Sequence, residues 1–322
     1  MITCYVCGNT VNNRHYSVQE MMFGFKDEFD YFECSNCGCL QISNDPINMD
    51  KYYPASYYSF EALPEAPQNW LRRFLKKKSN RHALFNDDFV GKLINKVIYN
   101  SMGKRFSSIS KVPLNFDSRI LDVGCGSGIL LYALKELGFK SLLGCDPFIK
   151  ADIKYNNGLQ VLKKTLSDIE GEWDLIMFHH SFEHIANQLE TLQAVSRLLA
   201  INGVCLLSMP TVSSYAWKHY GVNWVQLDAP RHLIIHSTES ISKLAEKVNL
   251  KQIDVFYNSN SFQFWGSEQY LQNIPLTSSK SYAENPENSI FSKKTLKEYE
   301  RQAAKLNQQK QGDMAAFYFT HA

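Results

Sequence analysis

The run Ile120-Leu121-Asp122-Val123-Gly124-Cys125-Gly126-Ser127-Gly128, with Asp146 eighteen residues beyond it, constrains this chain more than any other feature. It reads as a buried strand, a glycine turn and a helix start near Ile129. A second strand, Ser141–Cys145, follows and ends in an acid. That layout is a βαβ nucleoside-binding unit. Glycine lets the backbone pass close to a ligand because no Cβ intervenes. The helix start offers free N–H groups and a partial positive charge to an anion. An acid at the second strand end suits a pair of ribose hydroxyls. The glycines fall as G-x-G-x-G with Ile129 next, so the dinucleotide pattern G-x-G-x-x-G is not met.

Beyond this unit, strand and helix patterns alternate as a doubly wound sheet requires. After Ile129–Leu137, the first helix, the reading predicts strands at Gln160–Leu162, Trp173–Phe178, Val204–Met209, Lys251–Tyr257 and Ala315–Thr320. It predicts helices over Leu189–Leu199, Ile241–Val248 and Lys294–Leu306. Upstream, helical spacing is expected over Trp70–Phe85 and Asp88–Phe106. The first of these carries a basic cluster, Arg72, Arg73, Lys76, Lys77, Lys78 and Arg81, expected as a solvated face and alternatively as a phosphate contact. Aromatic residues crowd the stretch before it, Tyr52, Tyr53, Tyr57, Tyr58 and Phe60. They are expected to cover the active site or to stack on the N-terminal segment, and Pro54, Pro64 and Pro67 break the chain there.

The first fifty residues carry two C-x-x-C-G knuckles, Cys4-Tyr5-Val6-Cys7-Gly8 and Cys34-Ser35-Asn36-Cys37-Gly38, separated by 26 residues. Each tight turn aims two thiolates at one point. Four thiolates close a tetrahedral shell around Zn²⁺, leaving no open position, so the site is expected to be structural. So small a module has too little core of its own, and metal binding would supply much of its stability. Cys39 is expected to be a spare thiol and His15 a weaker ligand candidate. Cys125, Cys145 and Cys205 read as small residues in or beside strands.

The glycine run resembles the first motif of class I S-adenosylmethionine (SAM) methyltransferases. The resemblance implies that Gly124, Cys125, Gly126 and Gly128 wrap the methionine and ribose moieties, with Asp122 suited to the amino group. It places the ribose on Asp146 beside Pro147. It also implies adenine contacts at Leu166 and Ser167 and a cofactor-lining position for His179. The expected architecture is α/β: a Rossmann-like seven-stranded methyltransferase sheet over 115–322, a small N-terminal zinc ribbon over 1–45 and a helical connector over 46–114.

In open α/β sheets chemistry sits beyond the carboxyl ends of the strands. The strand ending at Phe178 delivers His179-His180-Ser181-Phe182-Glu183-His184 to that edge, and this is general acid–base material. H-S-F-E-H also matches the metalloprotease pattern H-x-x-E-H. That chemistry needs a long helix, whereas this run leaves an apolar strand, so a catalytic metal is not expected. A second unusual run, 215–232, is dense in aromatic and polar groups. Trp217, Tyr220 and Trp224 are expected as flat faces for a sugar ring, with Asp228, Arg231 and His232 as hydrogen-bonding and charged groups. The segment 258–268 is expected to close the same pocket.

Taken along the whole chain, these motifs are similar to bacterial methyltransferases with an N-terminal cysteine-knuckle domain that accompany surface-polysaccharide gene sets. Deoxysugar C-methyltransferases share the layout, and there the resemblance implies a His or Glu near the fourth strand as base. It carries over to His180, Glu183 or His184; in the expected mechanism His180 or His232 removes the substrate proton and Glu183 or Asp228 orients or assists the base. Little chain follows the closing of the sheet, so O-methylation is expected at least as much as C-methylation. The expected reaction is SAM-dependent methyl transfer to a small-molecule or glycan acceptor, a sugar or nucleotide sugar. An RNA methyltransferase and a non-catalytic SAM-binding scaffold are the alternatives. Net charge is +2, so no global field draws nucleic acid. No apolar run approaches the roughly 20 residues that span a bilayer. The N-terminus lacks a signal pattern, and a cytoplasmic location is expected.

Overall fold

The computed structural model describes residues 2–44, 46, 48–53, 69–97 and 101–322. Tyr57, Tyr58, Phe60 and the three prolines of the aromatic stretch lie outside the described residues.

The N-terminal knuckles form as their glycines dictate. Gly8 and Gly38 sit at φ +76° and +69°, the left-handed region that a side chain resists. The Gly8 N–H donates to the Cys4 carbonyl and the Gly38 N–H to the Cys34 carbonyl, both at 2.8 Å. Three antiparallel strands accompany them: β1 (Arg14–Gln19), β2 (Glu28–Glu33) and β3 (Leu40–Ile42).

Helix α1 spans Trp70–Phe85, its first turn capped by the Asn69 side chain, which accepts from the Leu71 N–H. The single helix expected over 88–106 is instead two, α2 (Phe89–Val97) and α3 (Ser101–Ile109). The basic cluster is largely solvated or paired locally. Arg73 meets Glu136, Lys78 meets Asp88 and Arg81 meets Asp87, while Arg72, Lys76 and Lys77 are exposed.

The second sheet begins with β4 (Arg119–Val123), followed by α4 (Ile129–Leu137), β5 (Ser141–Cys145), β6 (Ile153–Lys154), β7 (Gln160–Leu162) and β8 (Trp173–His179). It continues with α5 (Gln188–Leu198), β9 (Leu199–Pro210), α6 (Tyr215–Tyr220), β10 (Ile234–Ile235), α7 (Thr238–Glu246) and β11 (Leu250–Tyr257). It closes with α8 (Phe262–Leu271), α9 (Lys293–Gln308) and β12 (Met314–His321). The sheet order is β11-β12-β9-β8-β4-β5-β7-β6. Strands β7, β5, β4, β8 and β9 are parallel, and β12 runs antiparallel between β9 and β11. This is the expected Rossmann-like seven-stranded sheet with the two-residue β6 added at one edge. The parallel strands are buried on both faces, which is why they read as continuous apolar runs.

The two sheets are not independent. β10 leaves the second half of the chain and pairs antiparallel with β3, completing the N-terminal sheet in the order β1-β2-β3-β10. The cysteines of the knuckles share one apolar core with β4, β8, β9 and α7. Contacts between described residues therefore cross the expected boundary at residue 45.

The run 215–232 also departs from expectation. It is α6 and two single 3-10 turns rather than an irregular loop. Trp217, Tyr220 and Trp224 are buried, Trp224 with no exposed surface at all, and they pack with Val18, Tyr31 and Leu40 of the N-terminal strands. Trp217 meets Tyr16 edge to face at 5.2 Å. The Trp224 indole N–H donates to the Asp313 carboxylate at 3.0 Å. These rings are therefore core, and they present no open face to a sugar. The run looked aperiodic because the N-terminal sheet and α8 cover it from two sides.

Candidate active site and thiol cluster

The ends of β4, β5 and β8 bring the glycine turn, Asp146 and the His179–His184 run together. Gly124, Gly126 and Gly128 all have positive φ. The first cannot be anything larger: a Cβ at Gly124 would stand 2.5 Å from the Ser181 Cβ. The Ser181 hydroxyl donates to the Val123 carbonyl at 2.7 Å, so the run after β8 is fastened directly onto the turn after β4.

Asp122 lies fully inside, and its Oδ1 has no hydrogen-bond partner among the described residues. Burial, with Asp146 nearby, pushes its carboxyl up to about 8. Asp146 accepts from the Gly126 N–H through Oδ2 and from the Phe148 N–H through Oδ1, both at 2.8 Å. Each oxygen retains a lone pair for a ribose hydroxyl. Pro147 follows it in the turn, and the Phe148 ring next along is 75% exposed. Phe148 stacks parallel to Tyr53 at 6.5 Å. Sequence reasoning missed this ring, although an aromatic residue two positions after the acid was the signal available. Leu166 and Ser167 occupy a 3-10 turn held by the reciprocal Thr165–Asp168 cap. His179 is held neutral: burial brings it down to about 3. Cys125 is half-buried and lies behind the turn, where a Cβ on Gly144 would press on its sulfur. These residues fit SAM in one specific respect. The cradle supplies an orphaned buried carboxylate, and an ammonium group is its natural partner.

The second cluster centres on Glu183, which has no exposed surface and no hydrogen-bond partner for either oxygen among the described residues. His180 Nδ1 is 3.7 Å and His232 Nε2 is 3.9 Å from Glu183 Oε1. Burial raises the Glu183 carboxyl, but the surrounding imidazoles outweigh it and bring it down to about 2. Burial lowers His232 to about 4, so it is neutral at pH 7. His180 has 55% of its side chain exposed and sits at φ +55°. His184 and His232 meet edge to face at 4.7 Å. Tyr52 packs on Phe29 of β2, whereas the Tyr53 hydroxyl reaches His184 Nδ1 at 3.0 Å. Of the aromatic stretch, the described rings thus divide: Tyr52 packs on the N-terminal segment and Tyr53 meets the candidate cluster. Asp313, immediately before β12, was missed. It is buried, and burial raises it to about 6.

Arg231 does not face a ligand. Its guanidinium has no exposed surface, grips both oxygens of Asp228 and reaches Glu20 at 3.4 Å. Burial raises the Asp228 carboxyl, and Arg231 outweighs it, bringing it down to about 2. The pair expected to bind an acceptor's charge is therefore an internal tie between the loop 228–232 and the N-terminal segment.

The thiols of Cys4, Cys7, Cys34 and Cys37 lie within 4.8 Å of one another. That donor set fits a structural Zn²⁺. Cys39 is not remote: its sulfur is 3.3 Å from Cys37 and 3.6 Å from Cys4. The Gln41 side-chain amide donates to both the Cys39 and Cys4 sulfurs. His15 stands outside this group, tilted against Phe32.

A doubly wound sheet with this glycine turn, orphaned acid and acid–base cluster defines a transferase that uses a nucleoside cofactor. A model of the Methyltransferase domain family matches residues 56–255, and the chain belongs to that family. It is a SAM-dependent methyltransferase. The ubiquinone biosynthesis O-methyltransferase of Maricaulis maris is 26% identical over 184 residues, 50% of this chain and 71% of that protein. The mitochondrial ubiquinone biosynthesis O-methyltransferase of Saccharomyces cerevisiae is 26% identical over 165 residues, 46% of this chain; the chain spans about half, 51%, of that relative's length. Among solved structures, mycolic acid cyclopropane synthase CmaA1 complexed with SAH and CTAB covers 79% of this chain and 99% of its own. It matches at 16% identity with a TM-score of 0.44. No helix among the described residues is long and apolar enough to cross a membrane.

Proposed function

We propose that this protein transfers the SAM methyl group to an oxygen of a small-molecule acceptor. The observation that carries the reading is the contact of Ser181 with Gly124 and Val123, which sets the His180–His184 run against the cofactor turn. SAM, when bound, supplies a methyl group on a sulfonium centre. Asp122 would take its ammonium group, and Asp146 its ribose. Phe148 offers the base a flat face.

His180, the exposed imidazole of the cluster, would remove the acceptor proton, with Glu183 behind it stabilising the imidazolium. Holding acceptor and donor in line supplies several kcal/mol, on the order of the gains that positioning gives elsewhere. Methylation at oxygen agrees with the two relatives, both ubiquinone biosynthesis O-methyltransferases. A sugar acceptor loses its main support with the burial of Trp217, Tyr220 and Trp224. The thiol cluster would hold structural Zn²⁺ through Cys4, Cys7, Cys34 and Cys37.

The test is S-adenosylhomocysteine release against a panel of phenols, sugars and nucleotide sugars, with rRNA as a nucleic-acid control. Turnover with a hydroxylated small molecule, lost in His180→Ala with SAM binding intact, is the expected result. Turnover on rRNA alone would overturn it.

A further inference from the structure

A buried carboxyl group with no hydrogen-bond partner is expensive and rare. Glu183 is in that position, and two imidazoles converge on it. One donor atom from each of Glu183, His184 and His232 lies within 4.8 Å of the others. Both imidazoles are oriented the same way. His184 Nδ1 is 2.8 Å from the Arg231 carbonyl and His232 Nδ1 is 2.8 Å from the Gln226 carbonyl. A carbonyl only accepts, so each Nδ1 carries the proton and each Nε2 presents its lone pair. This tautomer-fixing bond from the far nitrogen to a backbone oxygen is the arrangement that metal-ligating histidines adopt.

We propose that Glu183, His184 and His232 form a second metal site that holds a divalent transition-metal ion at the acceptor side of the cofactor turn. His232 Nε2 is 3.9 Å from Glu183 Oε1. With bonds of about 2.1 Å, the edge of a tetrahedral shell is roughly 3.4 Å, so this edge must shorten by about half an ångström and the other two, within 4.8 Å, by up to about 1.4 Å. Two imidazoles and one carboxylate suit a transition metal rather than Mg²⁺ or Ca²⁺, and the set leaves open positions. Asp228 Oδ2, 3.8 Å from the same His232 nitrogen, is held by Arg231 and is not counted as a ligand. The expectation of no metal at H-x-x-E-H rested on the lack of a helix. The third ligand comes instead from the loop after α6, which β10 and Arg231 hold in place.

The role rests on the methyl-transfer reading, while the site does not. An acceptor hydroxyl bound at an open position would lose its proton more readily. The O–H bond breaks, the electron pair stays on the oxygen at the cation, and the proton passes to His180.

The experiment is a Co²⁺ titration of the full chain preloaded with one equivalent of Zn²⁺ to fill the thiols. Visible absorption follows Co²⁺ uptake, and SAM binding is measured on the same samples. The expected result is one equivalent of bound Co²⁺ with nitrogen–oxygen ligand-field bands and no thiolate charge transfer. Affinity should fall at least a hundredfold in Glu183→Gln and His232→Ala. Glu183→Gln removes a buried charge and keeps its volume, so this variant is expected to fold and to bind SAM. No uptake by the unmodified chain, or equal uptake by Glu183→Gln, would overturn the site and leave methyl transfer standing. Co²⁺ uptake as expected without SAM binding would support the site and overturn the cofactor reading.

Discussion

At the scale of single residues, Asp122 makes the sharpest prediction. Its carboxyl is pushed up to about 8 in the free protein, from an ordinary value of 3.8. Between those values the folded chain holds a proton that the unfolded chain has released. The Asp122 contribution to stability is therefore greatest at low pH and falls as pH rises from about 4 to about 8. Pairing with the ammonium group of SAM requires the carboxylate, so binding at pH 7 is expected to release close to one proton. Calorimetry in buffers of differing ionisation enthalpy reads this directly, and Asp122→Asn should abolish the release. Proton uptake on binding, or no exchange in either protein, would contradict the assigned partner. Trp224 makes the opposite kind of prediction. Trp224→Phe takes a donor from the buried Asp313 and is expected to cost about 1–3 kcal/mol in urea unfolding, with acceptor KM unchanged. A raised KM at unchanged stability would restore the ring to a binding role.

Among the elements, the parallel strands were legible to within a residue or two at most ends because burial on both faces writes an apolar run. The glycine turn was legible because its backbone permits little else. β6 was not, since two residues carry no period. The run 215–232 was misread because a segment covered from two sides has neither a helical nor an alternating pattern. The cluster around Glu183 was half visible. His180, Glu183 and His184 share one run, but the position of His232 depends on where β10 pairs, and no local pattern encodes that. The coupling of turn and run can be tested. Gly124→Ala forces a Cβ to 2.5 Å from the Ser181 Cβ at φ +68°. It is expected to weaken SAM binding by more than about tenfold, or ~1.4 kcal/mol. Adding Ser181→Gly removes the opposing atom and should recover part of that loss. If the double variant is no better than the single, the two elements are not in register as described.

For the molecule as a whole, the segment that carries the thiol cluster and the loop 228–232 are joined through direct contacts. Among the ties between the N-terminal segment and the second half of the chain, four bear on this coupling. Ser237 Oγ donates to the Cys37 carbonyl at 2.6 Å, Tyr31 donates to the His232 carbonyl at 2.8 Å, Arg231 reaches Glu20, and β10 pairs with β3. Three of these tie down residues 231–235, the segment that carries His232. Disrupting the proposed Zn²⁺ site at the thiols should therefore loosen the loop as well as the knuckles. Cys34→Ser is expected to lower the melting temperature of the entire chain in a single transition. A loss of about 5 kcal/mol corresponds to a shift on the order of 10 °C for a chain this large. Methyl transfer should fall in parallel, more steeply than SAM binding, because neither the glycine turn nor Asp146 makes any of those four ties. Differential scanning calorimetry with SAM titrations on the same protein separates the possibilities. Two resolved transitions, the smaller one alone sensitive to the substitution and turnover retained, would show the knuckles to be an appendage rather than the clamp on that loop.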